Sequence, residues 1–289
     1  MDSRLRTIDL FSGVGGIALG LALWCRVVAY CEFNEDARST LVHNMKLGRL
    51  DTAPVIDDVR QFPEDMFAED EIDLVTMGFP CKDISGCGNR RGFDTSAIQR
   101  ARRPHAAALE GRSSLFHAGM EVVARYRPRH VFLENVANLT SMPGVWGTVM
   151  ARLDEMGFDA RFGVLGACDV GAPHTRRRWF CLATRRGESW PPAQKEAAAG
   201  AETTLWNARG RRARDEFPWE VSGIPRMVDR RDPHGRERLR QLGNMCVPQC
   251  AAAAFRTLAE GLTDSSRTHD RSGRRPDNSH RLPRWGRMS

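Results

Sequence analysis

Three short segments of the chain carry residue types that can do chemistry together. Gly78-Phe79-Pro80-Cys81-Lys82 puts a thiol beside a lysine in a glycine-containing segment, an electropositive setting that favours the thiolate and nucleophilic attack. His130-Val131-Phe132-Leu133-Glu134-Asn135-Val136 is an apolar run that ends in a carboxylate and an amide, which a purely structural strand has no reason to do. Glu134 can act as an acid toward a heterocycle while Cys81 attacks it. In Phe11-Ser12-Gly13-Val14-Gly15-Gly16-Ile17-Ala18, Gly13, Gly15 and Ala18 satisfy the dinucleotide fingerprint, so that a ligand can approach the backbone at a helix start. Glu32 stands where a carboxylate accepts hydrogen bonds from ribose hydroxyls, and a nucleoside cofactor is expected. The glycine segment alone does not separate a nicotinamide cofactor from S-adenosylmethionine. Asp58 has two readings, an acceptor for an adenine amino group or a helix cap.

These residues need a frame that gathers them. Short β-branched or apolar runs alternate with helical stretches, the pattern of βαβ units and a mainly parallel sheet. Strands are predicted at 6–10, 27–31, 54–56, 72–77, 130–133, 161–165 and 178–183, and helices at 16–24, 35–44, 114–125 and 145–156. Phe11, Glu32, Asp58, Pro80 and Glu134 each then fall just after a strand, where the carboxyl ends of an open parallel sheet form a ligand crevice. The alternation fails from Thr184 to about Arg240, where Trp190, Trp206 and Trp219 lie among prolines, glycines and arginines. These tryptophans read as the core of a small lobe. A helix returns over Gln249 to Gly261, and beyond Thr263 the chain has almost no apolar content and is expected to be disordered.

The 289 residues fit one large α/β domain or one with a small appendage, and 41 % hydrophobic with 27 % charged residues is the balance of a soluble globular protein. No apolar run approaches the roughly 20 residues of a membrane-spanning helix. The amino terminus lacks a charged-then-apolar signal pattern, so the protein is expected to stay in the cytoplasm. Its eight cysteines contain no Cys-x-x-Cys pair, which argues against a disulfide framework or a paired-knuckle metal site. The net charge is +7, and of 43 basic residues only Lys46, Lys82 and Lys195 are lysines. An arginine skew suits bidentate contacts to phosphates and base edges, although a GC-rich genome produces the same skew.

Taken in order, the motifs resemble the cytosine-5 DNA methyltransferase family. They are the Phe11-x-Gly13-x-Gly15-Gly16 opening, Pro80-Cys81, Glu134-Asn135-Val136, the Arg176-x-Arg178 pair and a late Gly243-Asn244, and they span about Thr7 to Leu258. The resemblance implies a Rossmann-like S-adenosylmethionine-dependent methyltransferase sheet with a small, irregular target-recognition lobe. It implies a catalytic and cofactor-binding domain at 1–183, a target-recognition region at 184–237, a returning segment at 238–262 and a basic tail at 263–289. By the same likeness Cys81 is the nucleophile, Glu134 acts on ring nitrogen 3, Arg178 contacts the base carbonyl and Arg176 supports the pocket. Phe11, Gly13, Gly15, Glu32, Phe33, Asp58, Val59 and Asn244 would line the cofactor site. Pro80, Ser85, Asn135, Arg90 and Arg91 would face the substrate, with the last two gripping phosphates.

The implied partner is double-stranded DNA with the target base swung out of the stack, and a cognate restriction endonuclease would be a partner in function only. One chain carries the full set of reactive groups, which makes a monomer the default. The sequence departs from the family at His174, where a glutamine is usual, and in the shortness of its recognition segment. A tRNA cytosine-5 enzyme of the same type would tend to carry Cys-Phe-Thr, which is absent. A catalytically silent DNA-binding relative would have no need of Cys81 and Glu134, and a nicotinamide oxidoreductase leaves both without a role.

Overall fold

The computed structural model describes residues 2–80, 113–172, 174–191, 241, 243–261 and 285–288. Their frame is a mixed sheet in the order β3-β2-β1-β4-β5-β7-β6-β8. The strands are β1 (Leu5–Leu10), β2 (Cys25–Cys31), β3 (Val55–Ile56), β4 (Leu74–Met77), β5 (His130–Val136), β6 (Phe158–Gly166), β7 (Arg177–Arg185) and β8 (Trp285–Met288). The helices are α1 (Gly16–Gly20), α2 (Glu35–Lys46), α3 (Ser113–Tyr126), α4 (Pro143–Glu155) and α5 (Pro248–Glu260). β1 pairs in parallel with both β2 and β4, so the chain reverses its direction of travel across the sheet between β1 and β4. The crevice of a doubly wound sheet opens at such a point. This is a Rossmann-like sheet extended by antiparallel strands.

Both faces of the sheet are covered, which is why its central strands are almost continuously apolar. On one face Val75, Met77, Val131 and Leu133 pack with Phe116 and Val123 of α3 and Val149 and Leu153 of α4. On the other, Leu74, Phe132, Phe180 and Leu182 meet Ile17 and Leu21 from the α1 side and Ala251, Phe255 and Leu258 of α5. Alternate residues of one strand serve opposite faces, as the two-residue period of a strand requires. α2 is capped by Asn34, whose side chain accepts from the Ala37 amide, and its acidic first turn and basic last turn both complement the helix dipole.

Three elements differ from the sequence reading. α1 stops at Gly20 instead of reaching Trp24, and its first and last glycines lie hard against the segment that leads into α5. A Cβ on Gly16 would stand 2.3 Å from the Cys246 carbonyl oxygen, and one on Gly20 2.3 Å from that of Pro248. Glu134 and Asn135 lie inside β5, not beyond it. Parallel pairing with β4 ends at Leu133, yet antiparallel β7 keeps pairing through Val136, opposite Arg178. In the tail, where no regular structure is expected, Trp285–Met288 pair with Ala160–Gly163 of β6. An uncovered β6 would present a row of open backbone donors and acceptors. Deleting residues 285–289 is therefore expected to add concentration-dependent self-association in sedimentation velocity, and unchanged sedimentation would show that β8 does not protect this edge.

Candidate active site

The turn after β1 is built for close approach. Phe11, Gly13 and Gly15 all adopt positive φ, at 57°, 56° and 90°, a region in which a phenylalanine is strained and persists only when its surroundings enforce it. The Ser12 amide donates to the Cys31 carbonyl at 3.0 Å and its hydroxyl to the Asp9 carbonyl at 2.7 Å. Glu32 ties the turn to the end of β2. Its Oε2 accepts from the Gly13 amide at 2.8 Å and its Oε1 from the Asn34 amide at 2.7 Å. Each oxygen keeps a second lone pair. No atom lies within 4 Å of where a Gly13 Cβ would be, and the neighbouring Phe33 is 74 % exposed. An open backbone turn, a carboxylate with spare acceptor capacity and an exposed ring together fit a nucleoside with ribose hydroxyls and a purine.

Two of the expected cofactor residues also have structural roles. Asp58 caps the short turn Val59–Gln61, accepting from the Arg60 amide at 3.0 Å and pairing with its guanidinium at 2.5 Å. The Arg60 hydrogen bonds hold its carboxyl below the usual range, so the capping alternative is realised. Val59 is buried with Phe62 in the core, which leaves its backbone, not its side chain, for a ligand.

The reactive end lies where β4, β5 and β7 meet. Gly78 to Pro80 leave β4, and the Asn135 side-chain amide donates to the Phe79 carbonyl at 3.0 Å. The Phe79 ring packs on Phe116 of α3 at 4.9 Å between centroids. Glu134 Oε2 is 3.6 Å from where a Gly78 Cβ would stand, so the acid adjoins the segment that leads to Cys81. Because β7 runs antiparallel, its first residues arrive at this same mouth. Arg178 Nε lies 2.9 Å from Glu134 Oε1, a largely buried ion pair. Burial raises the Glu134 carboxyl above its ordinary value, and the opposing pull of Arg178 and Arg176 does not cancel it. Glu134 is thus a buried acid whose carboxyl burial raises, with Oε1 held against the Arg178 guanidinium at the mouth of the crevice.

Arg176, itself lowered by burial, donates from Nη2 to the Met245 carbonyl at 2.5 Å. With Gly16 beneath Cys246, this contact fixes the segment that carries the exposed Asn244 beside the cofactor turn. His174 is half-buried near Arg176, and burial lowers its imidazole. Trp190 sits under the Arg161 guanidinium at 3.7 Å and packs against the core between the sheet and α5, not within a separate lobe. Cys81, Ser85, Arg90 and Arg91 lie outside the described residues, as do Trp206 and Trp219 and nearly all of the expected recognition region.

Asp9 is a feature that the motif reading passes over. It is fully buried in β1 beneath the glycine turn, its Oδ1 accepting from the Thr76 hydroxyl at 2.5 Å, and burial pushes its carboxyl up to about 7. An acid flanked by Ile8 and Leu10 at the end of a strand is the available signal. The folded protein keeps this proton to about pH 7, whereas the unfolded chain releases it near 3.8. Stability therefore falls as pH rises through that window, by on the order of 4 kcal/mol. Asp9→Asn keeps an acceptor for Thr76 and removes the charge, so it is expected to raise the denaturation midpoint more at pH 8 than at pH 4. His130, lowered to about 4 by burial, adds a slope of opposite sign to both proteins and cancels in the comparison. An equal effect at both pH values would show that Asp9 does not titrate in this way.

The model of the C-5 cytosine-specific DNA methylase family matches residues 5–217. The chain belongs to this family. It is 31 % identical over 261 residues to the type II methyltransferase M.CviJI of Paramecium bursaria Chlorella virus IL3A, covering 90 % of this chain and 61 % of that one. It is 29 % identical over 201 residues to the type II methyltransferase M.AgeI of Thalassovita gelatinovora, covering 68 % and 43 %. The chain thus spans between about two fifths and three fifths of the length of these relatives. Among solved structures, the S. pombe Dnmt2 methyltransferase matches with a TM-score of 0.47 and 23 % identity over 64 % of this chain and 52 % of that one. Among the described residues no helix is long and apolar enough to cross a membrane. Family membership accounts for the grouping of the Gly13 turn, the Phe79-Pro80 segment, Glu134-Asn135 and Arg178 around one crevice.

Proposed function

We propose that this chain transfers a methyl group from S-adenosylmethionine to carbon 5 of cytosine in double-stranded DNA. The observation that carries this reading is the buried Glu134, its carboxyl raised by burial and paired with Arg178, set against the Gly78-Phe79-Pro80 segment that precedes Cys81. S-adenosylmethionine supplies, when bound, a methyl group on a positively charged sulfur. Glu32 would hold its ribose hydroxyls, and Phe33 would offer a face to its adenine. Gly13 leaves room for close approach, and Asn244 stands at the edge of the same site.

Cytosine carbon 5 is a poor nucleophile, and this chain's residues answer that difficulty. The Cys81 thiolate adds to carbon 6, while Glu134 gives a proton to ring nitrogen 3 and Arg178 stabilises the adjacent carbonyl oxygen. The ring electrons then become available at carbon 5 for the methyl group. Loss of the carbon 5 proton to solvent and of the nitrogen 3 proton back to Glu134 expels Cys81 and restores the ring. Arg176 holds the strap behind Arg178, and Asn135 keeps the Phe79 carbonyl in place. The reacting carbon is inside a duplex, so the base must leave the stack.

A monomer fits the reading, since every group named comes from one chain. A cytoplasmic protein fits it too, supported by the six described cysteines, which are free and mostly buried. The test is transfer of labelled methyl to DNA and to tRNA in parallel, with bisulfite sequencing of the product. Label in DNA at cytosine is expected, and label confined to tRNA, or absent from both, overturns the proposal.

A further inference from the structure

Helix α3 carries a glycine, Gly119, one turn beyond Phe116 in the middle of its span, where alanine would be the better helix former. The reason lies across the helix surface. A Cβ at Gly119 would stand 2.6 Å from the Met77 sulfur and 3.2 Å from Cε2 of the Phe11 ring. Met77 is fully buried at the end of β4, and a packed interior gives its sulfur little empty space to move into. Phe11 is the residue held at φ 57° two positions before Gly13, and its carbonyl lies 3.7 Å from the Gly78 Cβ position, beside Glu134. The same α3 surface carries Phe116, packed on Phe79 two positions before Cys81. One rigid helix face therefore touches both the turn that leads to Gly13 and the segment that leads to the nucleophile.

We propose that α3 is a brace that registers the cofactor turn against the reactive segment, and that Gly119 is a positioning residue whose missing side chain seats the Phe11 ring. The reading rests on the methyl-transfer function proposed above. Phe11 accepts a left-handed backbone because its ring has this slot to occupy. A side chain at 119 fills the slot, pushes the ring outward and turns the Phe11–Gly13 backbone away from the geometry that admits the cofactor.

The experiment is a double-mutant cycle between Gly119→Ala and Phe11→Leu, read by calorimetric binding of S-adenosylhomocysteine and by steady-state kinetics on DNA. Gly119→Ala alone is expected to weaken binding by about tenfold, the scale of overpacking a well-filled site. It should raise the KM for S-adenosylmethionine with kcat at saturation nearly unchanged. In the Phe11→Leu background, where the smaller side chain has left the slot, adding Gly119→Ala is expected to change binding little. Wild-type binding by Gly119→Ala overturns the proposal, as does an equal loss in both backgrounds, which would mark a general weakening of α3. Failure of the wild-type protein itself to bind S-adenosylhomocysteine would instead remove the methyl-transfer reading, a result that no property of the variants can imitate.

Discussion

Methyl transfer to DNA is expected to fall at least about 10³-fold when Cys81 is replaced by alanine, the scale seen when a covalent nucleophile is removed. Cofactor binding should stay within a few fold. The two effects separate because they live on different strands. The turn at Phe11 to Gly15 and the Glu32 carboxylate that braces it belong to β1 and β2, whereas Cys81 follows the segment leaving β4. Without the thiolate nothing adds to carbon 6, and carbon 5 never becomes nucleophilic enough to take the methyl group. Duplex DNA carrying 5-fluorocytosine gives the complementary result, a covalent complex with the wild-type protein that survives denaturing electrophoresis. Fluorine cannot leave as a proton, so elimination of the cysteine stops. The Cys81→Ala protein should form no such complex, and retained activity or an adduct in that variant would assign the nucleophile elsewhere.

Much of this arrangement was legible before any coordinates, for a physical reason. In a parallel sheet covered on both faces, the strands must be apolar, so a polar residue at the end of an apolar run is conspicuous. Glu32, Glu134 and Asn135 stand out in this way, and the positive-φ turn at Gly13 and Gly15 needs glycines whatever surrounds it. What could not be read depends on neighbours remote in sequence. That Asp58 serves as a cap shows only when Arg60 is seen to fold back on it. The apolar run ends at Leu133, yet β7, paired antiparallel, carries β5 on to Val136. The tail residues Trp285–Met288 have no strand signature of their own and are ordered by the open edge of β6. Gly119 looks like a flaw in a helix until Phe11 and Met77 are seen to fill the space beside it.

Glu134→Gln is the variant that tests whether the acid, and not the cavity around it, drives the reaction. The amide keeps the shape of the side chain, so binding of DNA and cofactor should change little, while turnover should fall by about 10²- to 10⁴-fold, the contribution of a positioned proton donor. The pH profile carries the sharper distinction. Burial raises the Glu134 carboxyl against the lowering influence of Arg178 and Arg176, so the protonated form persists to higher pH than for an exposed glutamate. Activity that needs this proton declines as pH rises through the raised value, opposite in sense to the gain from deprotonating a thiol. Glu134→Gln should lose that descending limb and keep the ascending one. Arg178→Lys retains a positive charge near Glu134 but not the planar fork that reaches its Oε1, so the limb should persist with a lower plateau. If the descending limb survives in Glu134→Gln, the titrating acid is a different group, and a carboxyl at position 134 serves the pocket only as part of its wall.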